Sequence, residues 1–209
     1  GMETGFATLW VLLGLRALVG PAGPKNAALA GVALILATFT RPDHGLFWAA
    51  GGMVLALELR DRDRSGWRAW LPARGAWPAL GAYAASLLPY ALYLAWKLHY
   101  YGDWLPNTYH AKAGGGLYLE QGALYLLSLL LGAHLWLLLP LAALGLLAPA
   151  AGRPQRLLRG FALASLVPYE LYVLGVGGDF MVGRFYVVTL PLWLLLAHGG
   201  LRRLLSLRS

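Results

Sequence analysis

The sequence predicts an all-α fold, a polytopic bundle of about seven transmembrane spans with one further interfacial helix, and three observations carry it. Of 209 residues, 59% are hydrophobic and 12% charged, whereas a soluble domain carries about a quarter charged residues. The apolar residues fall in runs that approach the roughly 20 residues a helix needs to cross the hydrocarbon. Nine Trp and eleven Tyr suit aromatic belts at two lipid–water interfaces.

The first run, near 5–20, opens directly after Thr4 with no basic region before it, so it reads as a span and not as a signal peptide. With Gly1 at the start, the expectation is a single transmembrane domain over 1–209 that forms the C-terminal part of a longer membrane domain. The runs near 26–40 and 45–59 are short, about 15 residues each, which predicts tilted, partly re-entrant or internally buried helices. A fourth span follows near 76–98. Leu117–Leu131 differs, because joined to the run at 132–149 it would make a helix of roughly 50 Å at about 1.5 Å per residue. With Glu120, Gln121 and Gly122 at its start, it reads as an interfacial helix that bends near Gly132; the alternative is a helix reaching beyond the membrane. The last two spans lie near 160–176 and 184–200.

Alternating crossings sort the 17 basic residues thirteen against four. Arg16, Lys25, Arg60, Arg62, Arg64, Arg68, Arg74, Arg153, Arg156, Arg159, Arg202, Arg203 and Arg208 share one side, and Arg41, Lys97, Lys112 and Arg184 the other. The basic side is expected to face the cytoplasm of a plasma (inner) membrane. This distribution in short loops explains the +8 net charge without nucleic acid as a partner; the bilayer and its anionic headgroups suffice. Glu3, Asp43, Asp103 and Asp179 fall on the non-cytoplasmic side. The chain has no Cys, which excludes disulfides and thiolate metal sites.

Four polar islands on that outer side carry the candidate chemistry. Thr40–Arg41–Pro42–Asp43–His44–Gly45 offers Arg41 as a phosphate ligand through its bidentate fork; the plainer reading is a turn in which Pro42 stops one helix and Asp43 caps the next. The stretch from His99 to Lys112 mixes Tyr100, Tyr101 and Trp104 with Asp103, Asn107 and Lys112. Its aromatics suit stacking on a sugar or isoprenoid, or simple anchoring at the interface. The spacing of His99, Asp103 and His110 matches no metal signature, so no metal and no cofactor is expected. In Gly177–Gly178–Asp179–Phe180–Met181–Val182–Gly183–Arg184, glycines permit a tight turn, and Asp179 and Arg184 either serve a ligand or pair with each other. Glu170, near the middle of its span, should face the interior and find a donor or a proton.

Gly-Met-Glu-Thr at 1–4, Thr-Arg-Pro-Asp at 40–43, Tyr-Tyr-Gly-Asp-Trp-Leu-Pro-Asn-Thr at 100–108 with Lys112, and Gly-Gly-Asp-Phe-Met-Val-Gly-Arg at 177–184 together resemble the GT-C-type polytopic glycosyltransferases, closest to the cell-envelope arabinofuranosyltransferase branch. The resemblance implies transfer of a sugar from a polyprenyl-phosphate donor to an extracytoplasmic cell-envelope glycan or glycoconjugate. It implies Arg41, Lys112 and Arg184 at the donor phosphate, and Glu3, Asp43, Asp103, Asn107 and Asp179 toward sugar or acceptor. Tyr100, Tyr101 and Trp104 would line the donor groove. The acidic first-loop pattern that carries the family's base is not found in this sequence, so the catalytic base is expected upstream of Gly1 and the piece alone inactive. A membrane transporter or lipid flippase is the alternative, although no internal repeat is evident.

Overall fold

A computed structural model describes residues 2–60, 72–104, 117–179, 181 and 183–207. Among these residues the regular structure is helical: α1 (Met2–Val19), α2 (Pro24–Thr40), α3 (Gly45–Glu58), α4 (Trp77–Ala85), α5 (Leu88–Tyr101), α6 (Leu119–Gly132), α7 (Leu138–Leu147), α8 (Arg153–Val176) and α9 (Leu190–Ser206). Short 3-10 turns stand before α3, α4 and α7 and at Arg184–Tyr186.

Proline and glycine set these boundaries. α2, α4, α5, α8 and α9 each carry proline in their first two positions, where its fixed φ suits the helix and its missing N–H costs nothing. α5 and α8 stop at Gly102 and Gly177, whose left-handed backbone (φ 71° and 79°) turns the chain out of the helix.

Helix length supports part of the expected span count. Among the described residues two helices are long and apolar enough to cross a bilayer: the 28-residue path Arg74–Tyr101 through α4 and α5, and the 24-residue α8. α6 and α7, bent by 76° to each other, form either a third, broken span or a re-entrant pair. α2 has 17 residues and α3 has 14, roughly 25 and 21 Å of helix at 1.5 Å per residue, against a hydrocarbon core of about 30 Å. The bend expected near Gly132 is present, and its pivot is His134, which adopts a left-handed conformation (φ 55°). The last span also starts later than expected. Residues 184–189 form a 3-10 turn and further turns, so α9 begins at Leu190 and runs on to include Arg202 and Arg203.

α2 is central, packed on α1, α3 and α4, while α8 lies against α3, α6 and α1. α7 and α9 form the tightest pair. Leu34, Phe47, Phe161, Tyr169 and Leu192 fill the interior, whereas large apolar side chains such as Leu88, Leu92 and Leu171 stand outward, as a lipid-solvated surface requires.

Polar contacts gather at two ends. At one, Arg153 donates to the Gly20 carbonyl and, with Arg156, flanks Glu58 at 3.4 and 3.7 Å. There too Ala73 N–H donates to Leu59 O (2.9 Å), tying the start of α4 to the end of α3. The expected basic end therefore exists, and Glu58, which the sequence reading left unplaced, is the anion that knits it. Residues 61–71, with Arg62, Arg64 and Arg68, lie outside the described part.

Candidate functional site

The opposite end collects residues from three of the four polar islands. Arg41 follows α2 in extended backbone, and its Nε donates to Asp43 Oδ1 at 3.0 Å. The second Asp43 oxygen accepts from the Tyr169 hydroxyl of α8 at 3.2 Å. Asp43 therefore does not cap α3, where no side-chain cap bond forms; its carboxylate, 6% exposed, instead holds Arg41 to α8. The Arg41 guanidinium lies over the Phe185 ring, 4.4 Å from its centroid, a cation–π contact.

Arg184, beside Phe185, holds two further acids. Its Nη1 donates to Asp179 Oδ2 at 3.3 Å and its Nη2 to Glu3 Oε1. The turn between Asp179 and Arg184 is formed with Gly177, Gly178 and Gly183 all at positive φ. Tyr125 of α6 braces it: the phenol donates to Met181 O (3.1 Å), accepts from Phe185 N–H (3.4 Å) and stacks on Tyr186. Arg184 and Asp179 thus do pair across the turn, and Glu3 joins them from 181 residues away.

Two guanidiniums facing three carboxylates leave the cluster with one excess negative charge, and burial ranks the acids. Asp43 and Asp179 are nearly inaccessible, while Glu3 is 45% exposed. Arg184 Nε is buried with no hydrogen-bond acceptor. An orphaned guanidinium N–H beside an exchangeable carboxylate is a place where another anion can be held.

His44, unremarked in the sequence, is 1% exposed. Its ring packs on Phe47 and Tyr169. Nδ1, taken as the protonated nitrogen because Ala37 O lies 3.3 Å away, makes a bond that the network assigns. Burial lowers its pKa, Arg41 adds to the effect and Asp43 opposes it. The imidazole is therefore neutral at pH 7 and acts as a packed spacer under the Arg41–Asp43 pair.

The third island supplies the aromatic candidates. Tyr100, Tyr101 and Trp104 are all more than half exposed, on and just beyond α5, which buries no residue. Tyr100 and Tyr101 continue an aromatic ladder in which Phe39 meets Tyr90 and Tyr93, Tyr93 meets Trp96, and Trp96 meets Tyr100 and Tyr101. Lys97 Nζ donates to Trp104 O at 2.9 Å, and Asp103 follows the Gly102 turn. Asn107, His110 and Lys112 lie outside the described residues. Glu170 lies against Tyr186, Thr189 and Trp193, yet among the described residues neither of its buried oxygens meets a donor at hydrogen-bond geometry.

Tyr169, Phe185 and Tyr125 were missed because an aromatic in an apolar run gives no sign of which ring will face a charge. One cue existed: Tyr169 stands directly before a buried acid, in a helix that needs polar partners. Comparison with protein-family models, with curated proteins and with solved structures finds no match for this chain.

Proposed function

We propose that this chain belongs to an integral-membrane glycosyltransferase that takes a sugar from a polyprenyl-phosphate donor at the outer face of the membrane. On this reading α1, α2, α3 and α9 cross as short or tilted helices beside the full-length spans, and the end that carries Arg41 and Arg184 faces away from the cytoplasm. The single observation that supports it is the meeting of Glu3, Arg41, Asp43, Asp179 and Arg184, drawn from three separated islands, around one turn.

The chemistry follows from that grouping. As the glycosidic bond breaks, negative charge grows on the departing lipid phosphate, and preorganised donors lower that barrier most when they are already aimed. Arg184 would take the phosphate by exchanging Glu3 and using its orphaned Nε–H. Arg41, fixed by Asp43 and Phe185, would act through its field from closer to the core. Glu3, once released, would be free to meet a hydroxyl of sugar or acceptor. The base that deprotonates the acceptor is not assigned to any residue of this chain.

The test is sugar transfer from a polyprenyl-phosphate donor in membranes that express the complete open reading frame. Arg184→Ala and Arg41→Ala should each cost about 10²–10³ in turnover at parental expression. Lysine should rescue Arg184 only partly, because an ammonium lacks the planar fork. Near-parental transfer by both alanine variants would remove the phosphate role and leave these ion pairs structural.

A further inference from the structure

Behind the Arg184 turn lies a cavity of about 180 Å³ that the site chemistry does not use. Leucines of α6 and α7, with Leu135 at the bend, form most of its wall, and Glu170, Tyr186, Thr189 and Trp193 supply the polar side. Leu139, at its margin, is 39% exposed, so the cavity is reached from the flank of the bundle, between α7 and α9. Both Glu170 oxygens are buried and meet no donor at hydrogen-bond geometry, although Tyr186, Thr189 and Trp193 are its polar neighbours.

A carboxyl in an apolar wall is costly as an anion unless charge of opposite sign reaches it. Among the described residues no Arg or Lys forms an ion pair with it; the arginine pairs are formed with Asp43, Glu3, Asp179 and Glu58. The neighbouring hydroxyl and indole groups can donate to its oxygens but bring no charge. A ligand that holds this carboxyl in its ionised form therefore brings one cationic N–H head and an apolar body. Size is also bounded, since a cavity of about 150 Å³ accommodates benzene, so one ring or a short alkyl arm fits.

We infer that the Glu170 cavity is a binding site for a lipophilic ammonium, a primary or secondary amine with one apolar arm, that enters from the bilayer side. The ammonium sits against Glu170 and the arm lies among Leu126, Leu130, Leu135 and Leu139. The site stands whether or not Arg41 and Arg184 meet a phosphate, because none of its polar groups belongs to that cluster. It is, however, mechanically joined to it: Arg184, Phe185 and Tyr186 form one 3-10 turn, with Phe185 under Arg41 and Tyr186 in the cavity wall.

The test uses the whole chain in lipid nanodiscs and 4-fluorophenethylamine as the probe, followed by fluorine NMR against empty nanodiscs. 4-Fluorophenethyl alcohol, of nearly the same shape and without charge, is the paired probe. Saturable binding of the amine, at least tenfold tighter than the alcohol, is the expected result. Glu170→Gln should erase that preference, and Leu139→Trp, which closes the opening, should weaken both probes. Equal binding of amine and alcohol to the unmodified protein would overturn the inference, leaving a plain apolar hole. So would partitioning indistinguishable from empty nanodiscs. The comparison of the two probes needs no variant, so a Glu170→Gln protein that fails to fold still leaves the outcome decisive.

Discussion

At Arg184 two carboxylates of unequal burial compete for one guanidinium: Asp179 is 3% exposed and Glu3 45%. The buried partner fixes the arginine in place, and removing its charge leaves Arg184 poorly held in a low-dielectric setting. The exposed partner is screened by water and contributes little, about 0–1 kcal/mol for pairs of that kind. Asp179→Asn is therefore expected to lower thermal stability in detergent measurably, and Glu3→Gln to leave it within error. Equal losses for the two would show that Glu3 is as structural as Asp179. The same logic explains what the residues disclosed beforehand. Charge and motif order named Arg41, Asp43, Asp179, Arg184 and Glu3, because charged residues between apolar runs have few places to go. They did not name Tyr169 or His44, whose roles depend on which face of α8 meets the turn after α2. His44 offers a pH test. Its folded pKa is lowered, chiefly by burial, so on acidification the unfolded chain takes up the proton first, near the ordinary value of about 6.5. Stability should then fall as pH drops through that region, until the folded state's own lower pKa is reached. His44→Asn retains a donor for Ala37 O and removes the titration, so its melting temperature should vary less than the parent's between about pH 7.5 and 5.5. Parallel curves for parent and variant would assign the acid sensitivity to other groups.

The helices show how far local punctuation reaches. Pro24, Pro42, Pro154 and Pro191 mark starts and breaks that the sequence displays directly, and the bend after Gly132 followed from a length no bilayer could hold. The length of each helix did not follow. An apolar run reads the same whether it is helix, 3-10 turn or the residues between, and residues 184–189 were assigned to a span for that reason. Close helix pairs were equally invisible, because a glycine in an apolar run gives no partner. α7 and α9 meet so tightly that a Cβ at Gly145 would overlap the Leu196 carbonyl, and one at Gly200 the Leu141 carbonyl. Small residues are what allow such backbone approach between membrane helices. Gly145→Leu or Gly200→Leu must push the helices apart, at a cost of about 1–3 kcal/mol or more as overpacking. Gly81→Ala on α4, where nothing lies within 4 Å, gives the contrast: a helix-favouring change without a clash, neutral or stabilising by up to about 1 kcal/mol. The comparison is read in folded yield by size exclusion and in melting temperature. Tolerance of leucine at both glycines would mean that α7 and α9 are not packed as described.

For the molecule as a whole, the separation of charge is the property that sequence and structure share. The sequence divided Lys and Arg into two sides by counting crossings. The contacts place four of these residues in the same way: Arg153 and Arg156 reach Gly20 and Glu58 at one end, while Arg41 and Arg184 sit with Glu3, Asp43 and Asp179 at the other. This agreement constrains the short helices α1, α2 and α3, because each runs from one end to the other even though α2 and α3 fall short of a full hydrocarbon thickness. On the proposed reading the arginine-rich end of this bundle faces the cytoplasm. The chain has no Cys, so single cysteines report without background. Ala22→Cys, exposed in the turn beside Gly20, marks the basic end; Tyr101→Cys, exposed at the last residue of α5, marks the other. In right-side-out vesicles an impermeant maleimide should label the cysteine at 101 and spare the one at 22 until detergent is added. Labelling at both positions before detergent would mean an even number of crossings between residues 22 and 101, which is incompatible with α2, α3 and the Arg74–Tyr101 path all crossing. The reverse pattern would turn the Arg41–Arg184 end toward the cytoplasm and remove the outer-face donor chemistry with it.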